Sequence, residues 1–294
     1  MAQPLQHQPQ QMQQSQQHPK AHERHVAPAV HKVARKLGRK PRGHDPRVPH
    51  LSARLRGIEP AIPSSVNWRN GMPAFLGYML NGGDNTLVPG GQALGDCPIA
   101  GLHHGRQIWT FNSGGGVITD PDKDVIKDYE VLCGYVLGDE STDQGGVLQD
   151  VLSKAAKVGL TTEAGPDKPI DFYEVDPRNL DDVRRVVWEC GFAYVGIDIP
   201  ESWTEASDGD IWDATDSPIA GGHCVLLHGY DKGAGTFAVT SWGMSFVLTE
   251  AGFRQACDEG YAVIDGAWLK ATGKSPAGLT EAQIAADMSA VRAG

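Results

Sequence analysis

Cys97 stands in Gly-Asp-Cys-Pro, and 126 residues later Gly-Gly-His-Cys sets His223 ahead of an apolar run. Seventeen residues beyond His223 the chain reads Thr-Ser-Trp-Gly. A cysteine attacks carbonyl carbon as the thiolate, and a free thiol with a pKa near ~8.5 is mostly protonated at neutral pH. A helix N-terminus lowers that value through its partial positive charge and unpaired N–H groups. Pro98 suits the first position of a helix, which leaves Cys97 at the cap. The Cys97 N–H would then face a developing oxyanion, with Gln92 as second donor. His223, after two glycines that allow close backbone approach, fits a general base at the start of a strand. Taken singly, each residue is more often structural: a buried cysteine in a turn, a histidine at a strand end. Their order and separation favour chemistry.

The elements that must position these residues are legible in outline. Helices are expected over 98–109, 123–137, 148–158, 181–189 and 250–259. Strands are expected over 192–199, 224–229, 236–240, 245–248 and 261–264. Residues 59–95 read as loops with short extended pieces. Helices gather in the first half of the body and strands in the second, which predicts an α+β fold with two lobes and a cleft between them. His103 and His104 read as a partly exposed pair on the first helix. Cys224 is expected to be buried on the opposite strand face from His223. Asp208, Asp210, Asp213 and Asp216 lack the glycine and closing glutamate of a calcium loop. They read as a solvated loop near the cleft mouth that favours basic peptides.

With these motifs in hand, residues 60–270 resemble the papain-like cysteine peptidases, and more narrowly their divergent bacterial and bacteriophage group. The segments that carry the resemblance are 94–100, 221–230 and 240–243, together with Gln144-Gly145-Gly146-Val147 and the tail 257–269. The separation of Cys97 from His223 is close to the ~130–150 residues of such enzymes. The resemblance implies a helical lobe plus an antiparallel β lobe. It implies Cys97 as nucleophile, His223 as base and Gln92 as oxyanion donor, one residue nearer the cysteine than in papain-type sequences. It implies Trp242 as a shield for the histidine and Gly145 and Gly146 as lining of the substrate groove. Thr240 falls where these enzymes have the asparagine that orients the imidazole. The implied activity is hydrolysis of peptide or amide bonds through an acyl-enzyme, on a peptide or protein substrate.

Composition adds a tail with its own question. The 294-residue chain has a formal net charge of -10. Residues 1–56 carry +9 of net charge and residues 57–294 carry -19. The division expected is therefore a Gln-rich, then basic arm over 1–56 and a catalytic-type domain over 57–294. Residues 1–18 are too polar to order themselves, and a short basic helix is expected over 27–37. The arm would seek an acidic surface: neighbouring subunits, another protein, or this chain's own cleft as a pro-segment. Nucleic acid is the weaker option, because no aromatic residues are interleaved for stacking. The alternative function is a structural protein on a papain-like body, such as a virion component attached by its arm. No signal peptide or membrane span is visible, so synthesis in the cytoplasm is expected. The five scattered cysteines suggest neither disulfides nor metal ligands, and no cofactor is expected.

Overall fold

Several strands read as unbroken apolar runs because both of their faces are covered. The computed structural model describes residues 35–50, 61–72, 87–89, 91–113, 116–163, 165–274, 280 and 282. Its helical part holds α1 (Cys97–Asn112), α2 (Asp122–Cys133) and α3 (Leu148–Val158). Its sheet is built from β1 (Ser65–Asn67), β2 (Pro169–Val175), β3 (Ala193–Pro200), β4 (Ile211–Trp212), β5 (Ile219–Asp231), β6 (Thr236–Ser241), β7 (Met244–Thr249) and β8 (Cys257–Asp265). Helices α4 (Leu180–Cys190), α5 (Glu201–Thr204), α6 (Glu250–Ala256) and α7 (Gly266–Thr272) are interspersed. The strand order is β2-β8-β3-β5-β6-β7-β4, with β1 added to β5. All pairings are antiparallel except β4 with β7. The protein is α+β, with α1, α2 and α3 ahead of most of the sheet, as the sequence predicts, and the shorter helices placed between strands.

Two hydrophobic cores share the central strands. Tyr194 of β3, Cys224 and Leu226 of β5, and Tyr261 and Val263 of β8 face the core built on α1, α2 and α3. Their neighbours Val195, Val225, Leu227, Ala262 and Ile264 face a second core with α4, α6 and the aromatic side chains of β6 and β7. Period-2 alternation therefore sends every second residue into a different core. Exposed polar positions, which would have marked the alternation, are confined to the strand ends, as at Asp198 and Asp258.

Helix α1 lies against β5 and is buried over nearly its whole length. Gly105 makes the close approach possible: a Cβ there would lie 2.5 Å from the Phe192 ring. The Tyr194 hydroxyl donates to the Pro98 carbonyl at 2.7 Å and fixes the start of the helix against β3. His103 and His104 are thus buried, not partly exposed. His103 is held between Asp120 (2.9 Å) and Asp128 (3.0 Å). Polar residues on a central helix need such partners.

Boundaries moved for local reasons. α2 ends at Cys133, short of 137, because Gly134 takes the left-handed conformation (φ 81°) that caps a helix. The strand expected over 224–229 is the middle of the 13-residue β5. The helix expected over 250–259 is α6, which ends at Ala256, and the chain continues directly into β8. Strand β2 is not among the expected elements. Glu174 interrupts its apolar residues, and that carboxylate is spent on Arg42 of the arm.

Of the arm, residues 35–50 belong to the same compact unit as the body. The polar tract 1–18 and all but the last three residues of the helix expected over 27–37 lie outside the described residues. Arg35, Lys36 and Leu37 have no regular structure. Val48 reaches the first core, and the Glu174 N–H donates to the Pro49 carbonyl at 3.0 Å. No helix among the described residues is long and apolar enough to cross a membrane.

Candidate active site

Cys97 is the first residue of α1, with Asp96 as cap and Pro98 behind it. The cap falls one residue earlier than expected, since the Asp96 carbonyl accepts from both Ile99 and Ala100 N–H. The thiol is buried and accepts from the Cys224 backbone N–H at 3.4 Å. That places sulfur against the residue next to His223 on β5.

His223 is completely buried. Its Nε2 lies 2.7 Å from the Ser241 hydroxyl, while its Nδ1 has no hydrogen-bond partner among the described residues. The oxygen that meets the imidazole therefore belongs to Ser241. The Thr240 hydroxyl, expected in that role, is buried with no partner among the described residues. Successive residues of a strand point to opposite faces, and the register of β6 on β5 turns Ser241 towards the histidine.

Trp242 stacks on the His223 ring at 4.6 Å with an interplanar angle of 20°. It sits with Gly243 in a two-residue hairpin turn between Ser241 and Met244. Both turn residues have positive φ, 50° and 70°, as a type I′ turn requires. For a bulky side chain this conformation costs roughly 1–3 kcal/mol. The packing of the indole on the imidazole and its aromatic neighbours sustains this turn.

The groove beside this pair is filled by the protein's own arm. The Arg39 N–H donates to the Gly222 carbonyl (3.1 Å) and the Lys40 N–H to the Gly146 carbonyl (2.9 Å). The Gly146 N–H donates to the Gly38 carbonyl at 2.8 Å. The arm pairs with the 145–147 segment in parallel. Contact is so close that only glycine fits: a Cβ on Gly38 would lie 1.6 Å from the Gly95 carbonyl oxygen, and one on Gly145 1.8 Å from the Gly38 oxygen. The Gly38 N–H also faces the Cys97 thiol and pulls its pKa down.

Arm side chains complete the seal. The Arg35 guanidinium packs over the Trp242 ring at 4.4 Å and donates to the Thr204 and Ala206 carbonyls. Lys36 pairs with Asp143 at 2.6 Å. Arg39 meets Asp198, Asp258 and Glu259, and Arg42 meets Glu174. The acidic loop 208–216 is instead spent on local hydrogen bonds to Ser245, Ser207 and Thr249.

Electrostatics keep the pair neutral while the arm is seated. Burial pushes the Cys97 thiol up to about 12, against the opposing pull of the Cys224 and Gly38 N–H groups. Burial, followed by the charges of Arg35 and Arg39, pushes His223 down to about 3. Gln92 is exposed and lines a hollow with Tyr135 and Asp143, hydrogen-bonding to none of the described residues. The geometry therefore gathers Cys97, His223, Trp242, Gly145 and Gly146, and leaves Thr240 and Gln92 outside. No group of His, Cys, Asp or Glu that would hold a metal is found among the described residues.

The thiol that begins α1 meets the backbone of the residue after His223 on β5, and comparison with solved structures identifies the fold that holds them. The structure is similar to xylellain, a cysteine protease from Xylella fastidiosa, with a TM-score of 0.57, 17% identity, and coverage of 80% of this chain and 98% of that one. It is similar to procathepsin L2 from the Tenebrio molitor larval midgut, with a TM-score of 0.53, 14% identity, and 79% and 78% coverage. Procathepsin B S9 from Trypanosoma congolense matches with a TM-score of 0.52, 12% identity, and 79% and 87% coverage. No family model matches the sequence, and no curated protein does. The fold is that of the papain-like cysteine proteases.

Proposed function

We propose that this protein is a papain-like cysteine hydrolase of peptide or amide bonds, held latent by its own N-terminal arm. One observation carries the reading: an extended segment of the chain crosses Cys97, bonded through its backbone to Gly146 and Gly222. A groove that binds a polypeptide over a thiol is what peptide hydrolysis requires. The arm escapes attack because it presents the Gly38 N–H to sulfur, while the Gly38 carbonyl is engaged by Gly146. Two of the similar solved structures are proenzymes by name. The reading of a virion component attached by its arm has no such support, since residues 35–50 lie on the chain's own body.

With the arm gone, Cys97 attacks the substrate carbonyl carbon and His223 takes the thiol proton on Nδ1. For Nδ1 to be the base, Nε2 must carry hydrogen and donate to Ser241, which sets the tautomer. The free N–H groups at the start of α1 stabilise the oxyanion. The protonated imidazole then returns its proton to the leaving amine, and water releases the acyl group.

The test is labelling by a peptidyl electrophile at neutral pH in the full chain. Gly38→Ala, which cannot keep the arm seated against Gly95, is expected to label at Cys97 far faster than the unaltered chain. Cys97→Ala should not label there. Gly38→Ala reacting at Cys97 no faster than at Cys133 or Cys257 would overturn the hydrolase reading.

A further inference from the structure

The arm shows what kind of side chain the groove accepts. Arg39 enters a pocket formed by β3, β5 and the start of β8, where its side chain is only 3% exposed. Its guanidinium donates to Glu259 at 2.8 Å, to Asp198 at 2.6 Å, and to Asp258. Glu259 is completely buried, and its second oxygen accepts from the Tyr261 hydroxyl at 2.9 Å. Asp198 and Asp258 stand at the rim, with side chains 53% and 44% exposed.

Space for the occupant is made by missing side chains. A Cβ on Gly196 would lie 2.7 Å from the Arg39 Cδ, and one on Gly222 2.5 Å from the Arg39 carbonyl oxygen. Glycine inside a strand is costly unless something must approach closely. Both positions here are strand interiors that face the arm. The pocket is thus built for a long stem ending in a cation, within a groove that also grips the backbone.

We propose that, once the arm leaves, this pocket selects substrates by an arginine side chain, with Asp198, Asp258 and Glu259 as the residues that determine specificity. The inference rests on the hydrolase reading for its meaning as substrate choice. Three carboxylates without a cation repel one another, so the vacated pocket favours a guanidinium that replaces Arg39. A neutral or acidic side chain would leave the buried Glu259 unpaired, which makes the choice a matter of rejection as well as attraction.

Binding tests the pocket whether or not Cys97 reacts. The full chain carrying Arg39→Ala is titrated with fluorescein-labelled Gly-X-Gly-Gly peptides, X being Arg, Leu or Glu, and read by fluorescence polarisation. The Arg peptide should bind about tenfold or more tighter than the Leu peptide, the scale of charge-assisted bonds over apolar contact. Adding Asp198→Asn and Asp258→Asn, both at rim positions, should cut that preference to about threefold or less. Equal affinities, a Leu preference, an Arg preference that survives neutralisation, or no Arg-peptide binding by a chain with an intact thermal melt would each overturn the proposal. Should Arg39→Ala lose its melt, Gly38→Ala empties the groove with Arg39 intact, and the same ranking is read there.

Discussion

At the scale of residues, the site turns on oxygens one position apart. Ser241 faces His223 and Thr240 does not. In a Gly38→Ala background, Ser241→Ala is expected to slow Cys97 labelling about tenfold or more, by freeing the imidazole tautomer. Thr240→Val should leave labelling within about twofold, because an unpartnered buried hydroxyl loses nothing. Equal effects of the two changes would refute the assignment. Asp96 offers a second test. Both of its carboxyl oxygens are buried without side-chain partners among the described residues, and burial above all, aided by Asp143, holds its pKa well above the ordinary range. The folded state therefore keeps a proton that the unfolded chain releases above about pH 4. Asp96→Asn should stabilise the protein by about 1–3 kcal/mol at neutral pH. The gain should fade as pH drops towards 4, where both states are neutral. Thermal melts across that range measure it.

At the scale of elements, α1 carries the proposed nucleophile and is itself anchored by charge. Burial alone would lower the His103 pKa, but hydrogen bonds and charge from Asp120 and Asp128 raise it above the ordinary histidine value. Arg106 adds pairs to Asp120 and Asp167, and Asp128 also accepts from Thr161. A raised histidine pKa contributes stability that is fully present below about pH 6.5 and lost as pH rises through the folded value. His103→Asn should cost roughly 3 kcal/mol at pH 5.5, by leaving two buried carboxylates without their cation. The cost should be smaller at pH 9. A penalty independent of pH would show that His103 packs as a neutral ring. The helix was readable from Pro98 and its apolar spacing. Its burial was not, because His103, His104, Arg106 and Gln107 look like a solvent face until their partners, on other segments, are in place.

At the scale of the whole molecule, the arm and the body form one electrostatic unit. The arm supplies Arg35, Lys36, Arg39 and Arg42, and the body answers with Asp143, Glu174, Asp198, Asp258 and Glu259. Releasing the arm removes two positive charges from beside His223 and opens Cys97 to water. Both changes favour the thiolate–imidazolium pair. The pH at half-maximal alkylation of Cys97 should therefore fall from strongly alkaline in the unaltered chain towards neutral in Gly38→Ala. An unchanged pH profile would show that the arm blocks access without tuning the pair.

Order along the chain was enough to single out Cys97, His223, Trp242 and the Gly145-Gly146 pair as candidates, because their types and spacing are local and the apolar runs around them are long. The same is true of the α+β segregation and of the charge contrast between arm and body. Tertiary structure alone decided the rest. Which of two adjacent hydroxyls meets the imidazole depends on strand register. Where the basic arm lies depends on carboxylates at 143, 174, 198, 258 and 259, scattered through the sequence and gathered only by the sheet and the helical core. A composition states how much charge a chain carries; only packing brings particular charges within a few ångströms, where their energy is large enough to choose an occupant.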